Sequence, residues 1–238
     1  MRTDVKLDFA RGARIGLEEA VYCDGKSPDQ IAAILDEAAL RDARLLLTRL
    51  SLEKLDALSG AHDSAIDYCP ASQTAFFGVP RPIVRRGDVV IVAAGTSDLP
   101  VACEASRTLR YYGHEATSIM DVGVAGLWRL TERIDEIRSH PIIIVVAGMD
   151  AAIASVLGGL AEGAIICAPT SVGYGAAEGG RTALNAILTS CAPGLVACNI
   201  DNGYGAACAA LRLLYAVSRL NRPRAPQKAH CVESAGVR

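Results

Sequence analysis

The chain has 238 residues, about half of them apolar and few aromatic, with a formal net charge of −2. That length accommodates one large domain or one domain with a smaller companion, and the apolar content suffices for a sizeable core. With no basic block, nucleic-acid binding lacks electrostatic support, and the longest apolar run, residues 142–147, is too short to cross a bilayer.

Residues 1–14 are charged and carry no apolar signal core, so a cytoplasmic location is expected. Eight cysteines are scattered without a Cys-x-x-Cys pair, and only four histidines accompany them, which argues against a structural zinc site. Free thiols are the expectation, most of them small buried hydrophobes.

Residues 1–84 form a first region. Ser27-Pro28-Asp29-Gln30 reads as a helix start: Ser27 caps, Pro28 suits the first helical position, and Gln30 completes a capping box. Ile31, Ile34 and Leu35 supply the buried face of that helix. Residues 45–48 read as a strand, 52–58 as a short helix, and 68–79 as irregular or hairpin structure.

Residues 85–222 form a second region with a regular alternation. Apolar runs at 89–94, 142–147, 164–167 and 195–198 read as strands buried on both faces of a parallel sheet, with a weaker strand at 117–120. Helical segments fall at 100–112, 127–140, 151–160, 182–188 and 206–220. Five such β–α units predict an α/β fold, an open parallel sheet with helices on both faces. Residues 223–238 are proline-rich and polar and are expected to form a loose tail.

In an open parallel sheet, ligands bind at the edge shared by the strand C-termini. The polar, glycine-rich segments all fall there. Gly95-Thr96-Ser97-Asp98 offers amides and hydroxyls to a phosphate, although Ser97 or Asp98 can equally cap the following helix. Thr170-Ser171-Val172-Gly173-Tyr174 offers hydroxyls and lets the backbone approach a ligand, or is an ordinary connection. Asn199, Asp201 and Asn202 can hold ribose hydroxyls, or Mg²⁺ through Asp201, though turn chemistry also explains Asn202-Gly203. Asp150 opens a helix, where capping is the plainer role. Arg129 follows Trp128, a residue more often packed than stacked on a ligand. Lys26 and Arg49 would ordinarily be solvated charges. Cys191 lies between a helix end and the last strand. Its local sequence gives no reason for a lowered pKa, and a buried structural thiol is the common fate.

Six ordered motifs carry a resemblance. They are Gly95-Thr96-Ser97-Asp98-Leu99-Pro100, Asp121-Val122-Gly123, Gly148-Met149-Asp150, the Pro169-to-Gly175 loop, Ser190-Cys191-Ala192, and Asn199-Ile200-Asp201-Asn202-Gly203-Tyr204-Gly205. With Arg14, Gly16, Glu19, Gly25-Lys26 and Thr48-Arg49 in the first region, the chain resembles the LarB family of nickel-pincer nucleotide biosynthesis. The resemblance implies a PurE-like, flavodoxin/Rossmann-like domain behind a small family-specific α/β region, and a homo-oligomer, tetramer or octamer. It implies carboxylation of the pyridinium ring of nicotinic acid adenine dinucleotide with phosphoanhydride hydrolysis. The products would be pyridinium-3,5-biscarboxylic acid mononucleotide and AMP. CO₂ or bicarbonate would be co-substrate and Mg²⁺ would assist, with no tightly bound organic cofactor.

Cys191 carries over as the nucleophile and Asp150 as base or proton shuttle, one methylene shorter than the glutamate common in the family. The implied substrate contacts are Lys26, Arg49, Gly95, Thr96, Ser97, Asp98, Asp121, Arg129, Thr170, Ser171, Gly173, Tyr174, Asn199, Asp201 and Asn202. The chain departs from the pattern at Trp128, where a histidine is usual, at Ala154, usually proline, and at Glu18. An indole cannot shuttle protons, so the histidine's role is not carried over. Two alternatives stand beside this reading: a PurE-type carboxylase or mutase acting on aminoimidazole ribonucleotide, and a nucleotide-binding protein without turnover.

Overall fold

A computed structural model describes residues 5–58 and 65–221. The first region contains a four-stranded sheet in the order β1-β2-β4-β3. Strand β1 (Ala20–Tyr22) runs parallel to β2 (Leu45–Thr48), and β3 (Ile66–Cys69) and β4 (Thr74–Phe77) form an antiparallel hairpin beside it. Helix α2 (Pro28–Ala39) begins at the expected capping box: Gln30 N–H donates to Ser27 Oγ at 3.2 Å, and Ser27 N–H donates to Gln30 Oε1 at 2.9 Å. Its Ile31, Ile34, Leu35 and Ala38 are buried. Helix α3 (Leu52–Ala57) is capped by Ser51. Sequence patterning missed α1 (Arg11–Ile15) and β1. Both are too short to show periodicity: β1 has a single buried side chain, Val21.

The second region is a five-stranded, wholly parallel sheet ordered β6-β5-β7-β8-β9. Its strands are β5 (Arg85–Ala93), β6 (His114–Ile119), β7 (Ile142–Ala147), β8 (Ala164–Pro169) and β9 (Val196–Ala197). The strand order reverses direction at β5, so the chain winds both ways and covers both faces. Helices α4 (Leu99–Tyr111) and α9 (Gly203–Leu220) pack with Val89, Ile91 and Ala93 on one face. Helices α5 (Leu127–Glu132), α6 (Ile134–Arg138), α7 (Ala152–Leu160) and α8 (Arg181–Leu188) pack with Val90 and Val92 on the other. This two-residue alternation is the strand pleat itself. The expected α/β fold, an open parallel sheet flanked by helices, is the one observed.

Two expected elements differ in detail. The helix over 127–140 is two helices, because the backbone leaves helical geometry at Arg133 (φ −108°, ψ 4°). The last strand is only two residues long. It lies at the sheet's edge, where only β8 pairs with it.

The two sheets share a core. Leu17, Leu46 and Phe76 from the first region pack with Leu109, Tyr111 and Tyr112 of the second. At its margin Glu18 binds both Arg44 and Arg81. The expected tail over 223–238 lies outside the described residues.

Candidate active site

The loops after four of the five parallel strands are hydrogen-bonded into one edge. Buried Asp98, after β5, accepts the Thr170 hydroxyl at 2.6 Å and the Gly95 amide at 2.9 Å. The Met149 amide, after β7, donates to the Val172 carbonyl at 2.7 Å. Asp201, after β9, accepts the Ser171 amide on Oδ1 at 2.8 Å, and its own amide donates to the Pro169 carbonyl at 2.8 Å. A side chain at Gly148 would put a Cβ 2.4 Å from the Val172 carbonyl oxygen, so this glycine is required for loop-to-loop contact.

The first region closes over the same edge. The Arg49 guanidinium donates to the Asp201 carbonyl across 152 residues of sequence. Two adjoining clefts result. One, of about 450 Å³, lies between the 70–73 turn, the start of α4 and Ser171. The other, of about 490 Å³, lies between Tyr22, Thr48 and the 199–202 loop. Arg49, Glu104 and Asp201 line both. Three residues lining these clefts, Arg49, Gln73 and Asp201, hold left-handed backbones with φ between +51° and +55°. Left-handed geometry costs roughly 1 kcal/mol or more per non-glycine residue, and it persists where surrounding contacts impose it.

The sequence-derived candidates occupy different positions. Ser97, Ser171, Arg49 and Asp201 line the first cleft; Arg49, Asn199, Asp201 and Asn202 line the second. Thr96, Ser97, Ser171 and Tyr174 are exposed. Asp98 and Thr170 face each other inside the protein and brace the loops from beneath. Burial raises the pKa of Asp98, and the bonds from Thr170 and Gly95 oppose it. Asn202 caps α9 by accepting the Gly205 amide at 2.7 Å. Asp121 is paired with Arg129 at 2.6 Å, so neither charge is free. Lys26 lies in a neighbouring groove with Tyr22 and Gln30.

Cys191 and Asp150 line neither cleft. Both flank α7. The exposed Asp150 precedes the helix, and its Oδ1 accepts the Ala152 amide at 3.2 Å. The segment around Cys191 docks further along: Ser190 Oγ is 2.6 Å from Ser155 Oγ, and Ala192 fills the space over Gly158. Among the described cysteines only Cys191 is exposed. Cys23 and Cys167 are buried, which pushes their thiols up to about 12 and leaves them inert at neutral pH.

Sequence patterning passed over Glu104. It is 4% exposed, and its Oε2 accepts the Tyr204 amide at 3.1 Å. Its signal was an acid within the buried stripe of α4, beside Ala105 and Thr108. Among the described residues, no group of three or more His, Cys, Asp or Glu is placed to hold a metal ion. No described helix is long and apolar enough to cross a membrane.

Comparison with known proteins assigns both regions. Residues 3–78 match the LarB/PurE-like N-terminal domain, and residues 88–227 match the AIR carboxylase family. The chain belongs to the LarB family, with a PurE-like domain. The two matches divide the chain as its two sheets do, the first covering β1 to β4 and the second nearly all of β5 to β9. The uncharacterized protein MJ0165 of Methanocaldococcus jannaschii is 37% identical over 209 residues, 85% of this chain and 80% of that relative. A LarB N-terminal domain joined to an AIR carboxylase domain supports a carboxylase-type function.

Proposed function

We propose that this LarB-family chain carboxylates the pyridinium ring of nicotinic acid adenine dinucleotide and hydrolyses its phosphoanhydride, yielding pyridinium-3,5-biscarboxylic acid mononucleotide and AMP. The observation that carries the proposal is Cys191: the one exposed thiol among the described cysteines, in the Ser190-Cys191-Ala192 motif, whose Ser190 bonds Ser155 of the helix that follows Asp150.

A pyridinium carbon is electrophilic and does not attack CO₂. Addition of the Cys191 thiolate at ring C4 forms a carbon–sulfur bond and neutralises the ring as an enamine. Ring C5 then attacks CO₂, forming the new carbon–carbon bond. A base removes the C5 proton, the C4–sulfur bond breaks, and the thiolate and the aromatic ring return. Asp150 is the proposed base, since its carboxylate is exposed at the head of α7. Arg49 and the amide- and hydroxyl-rich loops at Ser97 and Ser171 suit the phosphates.

Asp201 keeps one carboxylate oxygen beyond its bond to Ser171, a fit for a Mg²⁺ ion otherwise held by substrate phosphates and water. Bound there, Mg²⁺ would neutralise charge on the leaving phosphate. The PurE-like domain is the reason to propose that the chain self-associates.

The test is incubation with the dinucleotide, bicarbonate and Mg²⁺, with mass spectrometry of the products. The carboxylated mononucleotide and AMP should form with wild type, and Cys191→Ser should form no carboxylated product. The AIR carboxylase match favours one competitor, a PurE-type reaction on aminoimidazole ribonucleotide. That substrate is already an enamine and needs no thiol, so activity that survives Cys191→Ser selects it.

A further inference from the structure

Glu104 stands in the second turn of α4, on the face packed against α9. A carboxylate so buried loses its hydration. Burial pushes its pKa upward, against the Tyr204 amide and the Arg49 charge that favour the ionised form. Such a group persists where specific partners compensate.

The partners come from separate segments. Oε2 accepts the Tyr204 amide at 3.1 Å, in the first turn of α9. The helices approach so closely that a Cβ on Gly203 would meet Oε2 at 3.0 Å and the Val101 carbonyl oxygen at 2.2 Å. Oε1 lies 3.8 Å from Nε of Arg49, just past the end of β2. Arg49 donates from Nη2 to the Asp201 carbonyl, and Asp201 Oδ1 accepts the Ser171 amide at 2.8 Å. Arg49 and Asp201 both hold left-handed backbones, at φ +54° and +55°, which outside contacts must sustain.

We infer that Glu104 is a positioning residue whose carboxylate fixes the Arg49 guanidinium against the Asp201 loop, so that a cation of the first sheet faces an anionic ligand at the edge of the second. The inference rests on the proposal that these clefts take a phosphate-bearing dinucleotide. The Arg49 side chain is 39% exposed while that of Glu104 is 6% exposed beneath it. The ligand therefore meets the arginine, and the carboxylate acts through it. A glutamine of the same shape can still accept the Tyr204 amide but cannot hold the guanidinium by charge.

The experiment compares wild type, Glu104→Gln, Arg49→Ala and the double variant by two measurements. Calorimetric titration with nicotinic acid adenine dinucleotide, without bicarbonate, reads affinity. Each single variant should bind about tenfold more weakly, the loss of one charge-assisted contact. The double variant should be no weaker than Arg49→Ala alone, because linked residues are not additive. Amide hydrogen exchange without ligand reads the linkage itself. Exchange at Ser171 should quicken in both single variants, while Tyr204 stays protected in Glu104→Gln. A residue that merely capped α9 would expose Tyr204 and Gly205 and leave Ser171 unchanged. Unchanged Ser171 exchange, or affinity losses that multiply, overturns the inference. If wild type binds no dinucleotide yet Ser171 responds as described, the substrate reading fails and the positioning role stands. Arg49→Ala alters a partly exposed side chain and reads the same link even if Glu104→Gln does not fold.

Discussion

Replacing Glu18 by glutamine tests the ion-pair network at the margin of the shared core. Glu18 Oε2 accepts Arg44 Nε at 3.1 Å, and Oε1 accepts Arg81 Nη2 at 2.8 Å together with a second bond from Arg44. Its backbone carbonyl accepts the Tyr112 hydroxyl at 3.2 Å. Burial alone raises the carboxyl's pKa, but the hydrogen bonds from Arg44 and Arg81 outweigh it and bring the value from 4.5 down to about 2. That drop corresponds to about 3 kcal/mol of stability carried by the ionised group at neutral pH. Because the folded value lies below the unfolded one, the contribution is complete above about pH 4.5 and is lost as pH falls toward about 2. Glu18→Gln should therefore unfold in urea with about 3 kcal/mol less stability at neutral pH, and it leaves two arginines without their counter-charge. Its deficit against wild type, followed by circular dichroism, should shrink steadily as the pH is lowered from about 4.5 to about 2. A deficit that stayed constant across that range, or widened in acid, would refute the reasoning.

Three further outcomes are expected. Brief treatment with iodoacetamide should alkylate exposed Cys191 well before buried Cys23 and Cys167, read by peptide mass; earlier labelling of Cys23 or Cys167 would contradict the burial pattern. Thr170→Val removes a 2.6 Å bond to buried Asp98 and should cost about 2 kcal/mol at neutral pH. Since that bond favours the ionised carboxylate, the cost should diminish in acid as Asp98 is protonated; equal costs at both pH values would show that the bond does not carry charge. Chelation of Mg²⁺ should stop AMP release from the dinucleotide, and unchanged release would remove the metal from the cleavage step.

The parallel sheet was legible in the sequence because its strands are buried on both faces. Continuous apolar runs such as 142–147 stand out against polar loops without any knowledge of the partner strands. The capping box at Ser27 and Gln30 was equally readable, since all its atoms lie within four residues. The strand-end loops followed from chain direction alone: parallel strands put their C-termini on one edge, and five of the six family motifs fall there, while Ser190-Cys191-Ala192 precedes the last strand and docks along α7.

Tertiary structure decided what those loops do to one another. Asp98 and Ser97 are adjacent in sequence, yet one braces Thr170 from inside and the other lines a cleft. Turn composition is the same for both uses, because it specifies backbone geometry and not which way a side chain finds its partner. Glu104 and Arg49 meet across 55 positions, and Arg49 and Asp201 across 152. Local periodicity sets which face of a helix is buried; it carries no information on which distant charge will compensate an acid placed there. That pairing exists only once the first sheet docks on the second through Leu46 and Phe76, since packing of the two cores fixes where each arginine can reach.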